Sequence, residues 1–270
     1  MPAECPFNEW VAFDLETTGL MAETDRVVEI GAVRFDSFGS ESGRFERLVN
    51  PERPMSAAAF AIHGIGDSDL ASAPPAARVL PEFLEFLGDP ARVGLLAHNA
   101  SFDAGFLGRE LTRLGIPLPG HTIIDTLALA RRRLPDLFDH RLDSLARLFN
   151  LERSGPHRAL TDSLRVKGLW MALQAGPDEG PEKPPVSYPI YDPKRKPVPN
   201  GWEGLSEAIA RGQRVRMVYT GGSRGEALRE ITPRGFAHRG GIAYLVAFCH
   251  LDAFEKSFRL DRVERFEVVP

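Results

Sequence analysis

Apolar residues in the first fifty positions come in short runs broken by turn-forming residues: WVAFDL at 10–15, VVEIGAVRFD at 27–36 and FERLVN at 45–50. Runs of this length rich in Val, Ile and Phe predict strands, and the short connections between them predict an antiparallel meander. Further along, the period changes. The pattern predicts a helix near Ala76–Leu87, a strand at Val93–Ala97, a helix over Phe102–Leu114, a strand at His121–Ile124, and then helices to about Leu173. A meander followed by alternating helices and strands predicts a mixed α/β fold, with helices packed on a central sheet.

Between Gly176 and Asn200 the periodicity lapses. The stretch GPDEGPEKPPVSYPIYDPKRKPVPN holds eight of the 22 prolines and predicts an extended, semi-stiff linker. Beyond it the pattern predicts a helix at Gly201–Arg211, and then β character in RVRMVYT, REITPRGFAHRGGIAYLVAFC and EKSFRLDRVERFEVV, with turns at TGGSRG and HRGG. That alternation predicts a small, mostly antiparallel barrel or curled sheet. The chain therefore divides into residues 1–175, a Pro-rich linker at 176–200 and residues 201–270.

Composition narrows the class. A chain of 270 residues with 43% hydrophobic content fits two domains with cores of their own. Cys5 and Cys249 lie at opposite ends of the sequence, which provides no disulfide framework or Cys-rich metal site and fits a reducing compartment. The first residues, MPAECPFNEW, lack a basic segment followed by an apolar one, and no run of about 18 apolar residues occurs, so a cytoplasmic protein without membrane spans is expected. The net charge of -4 does not mark a polyanion binder, although an acidic metal cluster would itself pull the balance negative.

The predicted first strand carries a chemical anomaly. Asp14 and Glu16, at i and i+2, share one face, while Phe13 and Leu15 point to the other. Two buried carboxylates repel unless a positive group lies between them, and a divalent cation is the usual solution. Two further segments offer partners. AHNASFDAGFL follows a predicted strand and enters a helix, with Ser101 or Asn99 available as N-cap and Asp103 in the first turn. In GPHRALTDSLRVKGLW, His157 precedes a helix and Asp162 lies one turn inside it, with Leu164, Leu169, Trp170 and Leu173 forming the buried side.

FDLETTGL, HNASFD and HRALTD, in that order over about 165 residues, resemble the three motifs of the DEDDh-type 3'-5' exonucleases, similar to the DnaQ-like proofreading subunits of bacterial replicative polymerases. The spacing of His157 and Asp162 matches the histidine subclass. The resemblance implies an RNase H-like fold and hydrolysis of nucleic acid, DNA favoured, from a single-stranded or frayed 3' end to nucleoside 5'-monophosphates. Asp14, Glu16, Asp103 and Asp162 would hold two Mg2+ or Mn2+, hard cations that prefer carboxylate oxygen. His157 would serve as general base, since imidazole titrates near working pH. By resemblance, Thr17 would hold the terminal 3'-hydroxyl, Leu20 would wedge against the last base, and Asn99 and Phe102 would meet the terminal nucleotides. His63, in FAIHGI, matches a histidine beside that site. An exoribonuclease acting on RNA or short oligonucleotides, and a non-catalytic sensor that grips strand ends, remain as alternatives.

The C-terminal block resembles the WYL domain of bacterial regulators, through Tyr219, REITPRGF, AYLVAFC and FRLDRVERFEV, with Ala243 standing where that family has its Trp. The resemblance implies an SH3- or Sm-like barrel that recruits or regulates through a nucleotide or oligonucleotide ligand. Tyr244, Arg229, Arg259 and Arg262 are its candidate contacts. Nothing in the linker identifies a polymerase partner.

Overall fold

The structure, a computed structural model, describes residues 7–151, 157–174, 185–192, 198–221 and 225–269. The chain divides into two compact units, residues 1–20 with 26–192 and residues 21–25 with 193–270.

In the first unit, β1 (Glu9–Thr17), β2 (Val27–Asp36) and β3 (Glu41–Leu48) form the antiparallel meander that the sequence pattern predicts. Next come α1 (Ala57–His63), α2 (Asp67–Leu70), α3 (Ala76–Leu87), β4 (Val93–Ala97), α4 (Ala100–Arg113), β5 (Thr122–Asp125), α5 (Thr126–Arg133), α6 (Leu142–Leu148) and α7 (Ala159–Gln174). Strands β4 and β5 join β1 in parallel, and the sheet runs β3-β2-β1-β4-β5-β6 among the described residues. This is the mixed α/β, RNase H-like architecture.

Period-2 alternation gives β1 two different faces. Trp10 and Ala12 enter a core shared with Val33, Phe35, Leu96 and the apolar side of α7. Val11, Phe13 and Leu15 are buried on the opposite face, where the Phe13 ring lies 5.8 Å from Phe83 of α3. Burial of Leu164, Val166, Leu169 and Leu173, roughly 1.5–3 kcal/mol each, fixes α7 against the sheet firmly enough to withstand several kcal/mol of charge repulsion at its first turn.

One stretch departs from expectation. Within the proline-rich segment, Ser187–Pro189 forms β6, antiparallel to β5 at the sheet edge. Proline is tolerated there because an edge strand leaves one row of backbone groups unpaired. The next turn packs closely on α4: a Cβ on Gly108 would lie 2.1 Å from the Tyr191 carbonyl oxygen. Residues 176–184 and 193–197 of the predicted linker lie outside the described residues.

In the second unit, α8 (Glu203–Arg211) precedes β7 (Val215–Thr220), β8 (Glu226–Arg239), β9 (Ile242–Cys249), β10 (Phe254–Arg259) and β11 (Val263–Val268). They form one antiparallel sheet in the order β10-β9-β8-β7-β11. Leu205 and Ala208 of α8 seal its core with Val215, Met217, Ile231, Leu245 and Phe258. The expected barrel is seen as this sheet alone; no pairing closes β10 onto β11 among the described residues.

Candidate active site

The face of β1 that carries Trp10 and Ala12 into the core carries Asp14 and Glu16 two and four residues later. The parallel pairing with β4 ends at Ala12 opposite Leu96, so the two acids lie where β1 has outrun its neighbour. There the chain leaves β4 and turns into α4 through Asn99, whose φ of 67° is left-handed, a conformation Asn tolerates better than most residues. Asp125 fixes that turn: its Oδ1 accepts from the Asn99 backbone N–H (3.0 Å) and from Leu127 N–H (3.0 Å), capping α5 as well. The first turn of α4 thereby reaches β1, and the Leu15 N–H, between the two acids, points at the Asp103 carboxylate.

Asp162 arrives from the other side, in the first turn of α7. Carboxylate oxygens of Asp14, Glu16 and Asp162 all lie within 4.8 Å of one another, and Asp103 is the strongest charged neighbour of Asp14. Burial raises the Asp14 carboxyl well above the usual range, with Asp103, Glu16, Asp162 and Glu29 adding to it. Burial followed by the charges of Asp162 and Glu29 pushes Glu16 up to about 7. Burial also raises Asp103, against the opposing effect of its backbone donors. Four such acids, all oxygen donors with too few cations among them, fit divalent metal ions by charge and by ligand type.

His157 stands beside Asp162 with Nδ1 3.1 Å from Asp162 Oδ2 and Nε2 3.2 Å from Asp143 Oδ2. Burial lowers its basicity, but the Asp162 hydrogen bond and the charges of Asp162, Asp143 and Glu16 together raise it. Arg165 closes a ring of four side chains: its Nη1 donates to Asp162 Oδ1 (2.7 Å) and Asp143 Oδ1 (3.0 Å). Next along the chain, Arg158 grips Glu29 on β2 through Nε (2.9 and 3.1 Å), and the Ala159 N–H donates to the same carboxylate (2.9 Å). This anchor sets the start of α7 against β2, opposite the acids of β1. Sequence reasoning missed Glu29, Asp143, Arg158 and Arg165. Glu29 had a readable signal, an acid inside the apolar run VVEIGAV.

The remaining expected residues fall as follows. Thr17 is buried, and its hydroxyl donates to the Gly19 carbonyl at a bulge of the β1–β2 ladder. His63 is also buried; its Nδ1 accepts from Ile65 N–H (3.0 Å) and its Nε2 donates to the Thr17 carbonyl (3.3 Å). The imidazole braces Thr17 from behind. Leu20 and Asn99 are exposed, and Phe102 is half-buried with its ring centroid 4.7 Å from that of Phe106. Asn99 caps α4 through its backbone, without a side-chain hydrogen bond, and Ser101 lies inside the helix.

Residues 11–168, more than half of the chain, match the exonuclease family model RNase_T. The chain belongs to this exonuclease family. Residues 202–268 match the WYL domain. The DNA polymerase III PolC-type of Bacillus cereus is 40% identical over 172 residues, 62% of this chain and 12% of that protein. The PolC-type enzyme of Bacillus subtilis is 40% identical over 165 residues, 61% of this chain and 11% of that protein. The chain thus spans about an eighth of the curated relatives it matches. The nuclease domain of 3'hExo, described as a DEDDh family member bound to rAMP, shares the fold with a TM-score of 0.55 at 18% identity, covering 64% of this chain and 94% of that one. Exonuclease I of E. coli in a single-stranded DNA complex shares it with a TM-score of 0.57 at 15% identity, covering 90% and 55%.

In the WYL domain, one expected contact changes character. Arg229 is 2% exposed, its Nη1 donates to Asp252 Oδ2 (3.1 Å), and its guanidinium lies over the rings of Tyr219 and Phe258. It is a core ion pair, not a surface anion contact, because two aromatic walls and Asp252 already surround it. Arg259 is engaged by Asp261 (Nε to Oδ1, 3.0 Å) and sits across the β9–β10 ladder from the half-buried Tyr244. Arg262 is exposed. No helix of the described residues is long and apolar enough to cross a membrane.

Proposed function

We propose that this chain removes nucleotides from the 3' end of single-stranded or frayed nucleic acid, DNA favoured, and releases nucleoside 5'-monophosphates. The acid cluster carries the reading: a binding module has no use for four acids, three of them with raised pKa values, beside a phosphate. Asp14, Glu16, Asp103 and Asp162 are the residues that would hold two Mg2+ or Mn2+. When bound, these ions neutralise charge on the phosphoryl oxygens and make water a stronger acid.

The side chains supply the rest. His157 would take the proton of the attacking water once its ring leaves Asp143, with Asp162 holding the imidazole at the cluster through Nδ1. Thr17, braced by His63, presents its turn to the terminal 3'-hydroxyl; Leu20 wedges beside the last base; Asn99 and Phe102 meet the terminal sugar and base. The WYL domain, with 11 basic against 9 acidic residues over 201–270, recruits or regulates the nuclease through a nucleotide or oligonucleotide, with Tyr244 and Arg262 as accessible contacts. The buried, unbridged Cys249 supports a cytoplasmic setting.

The deciding experiment follows a 5'-labelled single-stranded DNA and its RNA counterpart with Mg2+, Mn2+ or EDTA, beside Asp14→Ala. A metal-dependent ladder shortening from the 3' end, absent in the variant, is the expected result, and the two strands report the sugar preference. Failure of every metal to support degradation of either strand would refute the reading.

A further inference from the structure

The loop between α5 and α6 is tied down on both sides and yet holds an uncovered aromatic ring in solvent. Phe138 is fully exposed. His98, at the end of β4, donates from Nε2 to the His140 carbonyl (2.9 Å), with its Nδ1 3.1 Å from Thr126 Oγ1. His140 in turn donates from Nε2 to the Leu134 carbonyl (2.9 Å). The Asp139 carboxylate accepts from the Arg141 backbone N–H (2.9 Å), the Arg141 Nε (2.8 Å) and Ser144 Oγ (2.6 Å). A loop with this many internal ties holds Phe138 in solvent with its ring open to stacking.

Beside this ring is a cleft of about 590 Å³ whose walls include Asn99, Arg131, Phe138 and Arg141, a size suited to a nucleotide unit. Its charge is positive. Arg141 neutralises Asp139, while Arg131, exposed in the last turn of α5, has no carboxylate partner among the described residues. Asn99 belongs both to this cleft and to the turn that brings Asp103 to the acid cluster, so the cleft adjoins the candidate active site.

We propose that the cleft holds the nucleotides of the scissile strand just upstream of its 3' end, with one phosphate against Arg131 and one base stacked on Phe138. Stacking on an aromatic face accepts any base, and a single guanidinium on a phosphate adds charge without sequence preference. The inference rests on the exonuclease reading, and it names the part of the molecule that rewards a longer strand.

The test measures binding of fluorescein-labelled oligo(dT) of two, four and ten nucleotides by anisotropy, with Ca2+ in place of Mg2+, and KM for the same lengths with Mg2+. Wild type should bind the ten-mer more tightly than the dimer. Phe138→Ala should weaken ten-mer binding about tenfold, and Arg131→Ala should lower the slope of log affinity against log salt by about 0.7, the value for one phosphate on a single strand. Arg78→Ala, on exposed α3 surface, serves as the charge control and should keep the wild-type length and salt dependence. Wild-type length dependence and salt slope in both Phe138→Ala and Arg131→Ala would overturn the subsite. Loss of the exonuclease reading shows differently, as a wild-type protein that never shortens a strand.

Discussion

The backbone of Ala159, the first residue of α7, lies directly against Gly31 of β2: a Cβ built on Gly31 would sit 2.1 Å from the Ala159 carbonyl carbon and 2.0 Å from the Leu160 nitrogen. Gly31 is also the residue paired with Asp14 across the β1–β2 ladder. The absence of one side chain therefore lets a helix that begins at Ala159 rest on the sheet beside Asp14 and bring Asp162 into the cluster.

Gly31→Ala is the corresponding experiment. The added carbon must push backbone, not a flexible side chain, so α7 moves by an ångström or more. Overpacking of this kind costs about 1–3 kcal/mol, and displacement of Asp162 on that scale lowers turnover about 100-fold. Nuclease rates and thermal melting report the two effects separately. A fully active Gly31→Ala would show that α7 can shift without carrying Asp162 out of reach.

His157→Ala should keep metal and strand binding while losing a factor of about 10²–10⁴ in turnover. Isothermal titration with Mn2+ and single-turnover rates separate binding from chemistry. Wild-type turnover would remove His157 from the reaction.

Metal and pH are linked through the cluster. Glu16 binds its proton up to about pH 7 in the folded chain and only to its ordinary value of 4.5 when unfolded. The folded state therefore holds the extra proton between these values: the favourable contribution is lost as pH rises through about 7, and ionised Glu16 then burdens the metal-free fold. A divalent cation relieves that burden by taking the proton's place. Mn2+ at 100 times its Kd should stabilise the fold by about 2.7 kcal/mol at pH 8, with the gain shrinking as pH falls through 7. Melting curves with and without Mn2+ across that range check it. A gain independent of pH would place the metal elsewhere.

In the WYL domain, Arg229→Met should leave Asp252 inside the fold with the Lys256 ammonium beside it, at 2.7 Å. Breaking a buried pair on one side costs about 3–5 kcal/mol. Amide hydrogen exchange of β7, β8 and β9 should speed up in this variant and stay slow in Arg262→Ala. Equal protection in Arg229→Met and wild type would mean that the ion pair contributes little to the core.

Much of this was readable beforehand where residues act through their own segment. The limits of β2, α3 and β4 follow directly from apolar runs closed by charged or turn residues. The acids and His157 stood out because carboxylates and an imidazole recur at fixed spacing on elements that otherwise bury apolar surface. What escaped depends on neighbours distant in sequence. β3 begins four residues before its expected start because Phe45 is its single fully buried residue, so a strand with little apolar signal is held by pairing with β2. α1 is a short Ala-rich segment whose capping comes from Ser56 and Gly64, and no periodicity reveals seven residues. Asp143, Arg158 and Arg165 each look like ordinary surface charges until the fold brings them to the acids and to His157, whereas Glu29, set in an apolar run, could have been singled out.

The short strand at Ser187–Pro189 has a practical meaning for anyone cutting this molecule. By covering β5, it occupies the rim where a sheet would otherwise offer free backbone donors and acceptors to a second copy. A fragment stopped at residue 174, where α7 ends and the motifs are complete, would keep every acid of the cluster and yet open that rim. It should be sticky in solution, whereas one carried through Asp192 should stay monodisperse.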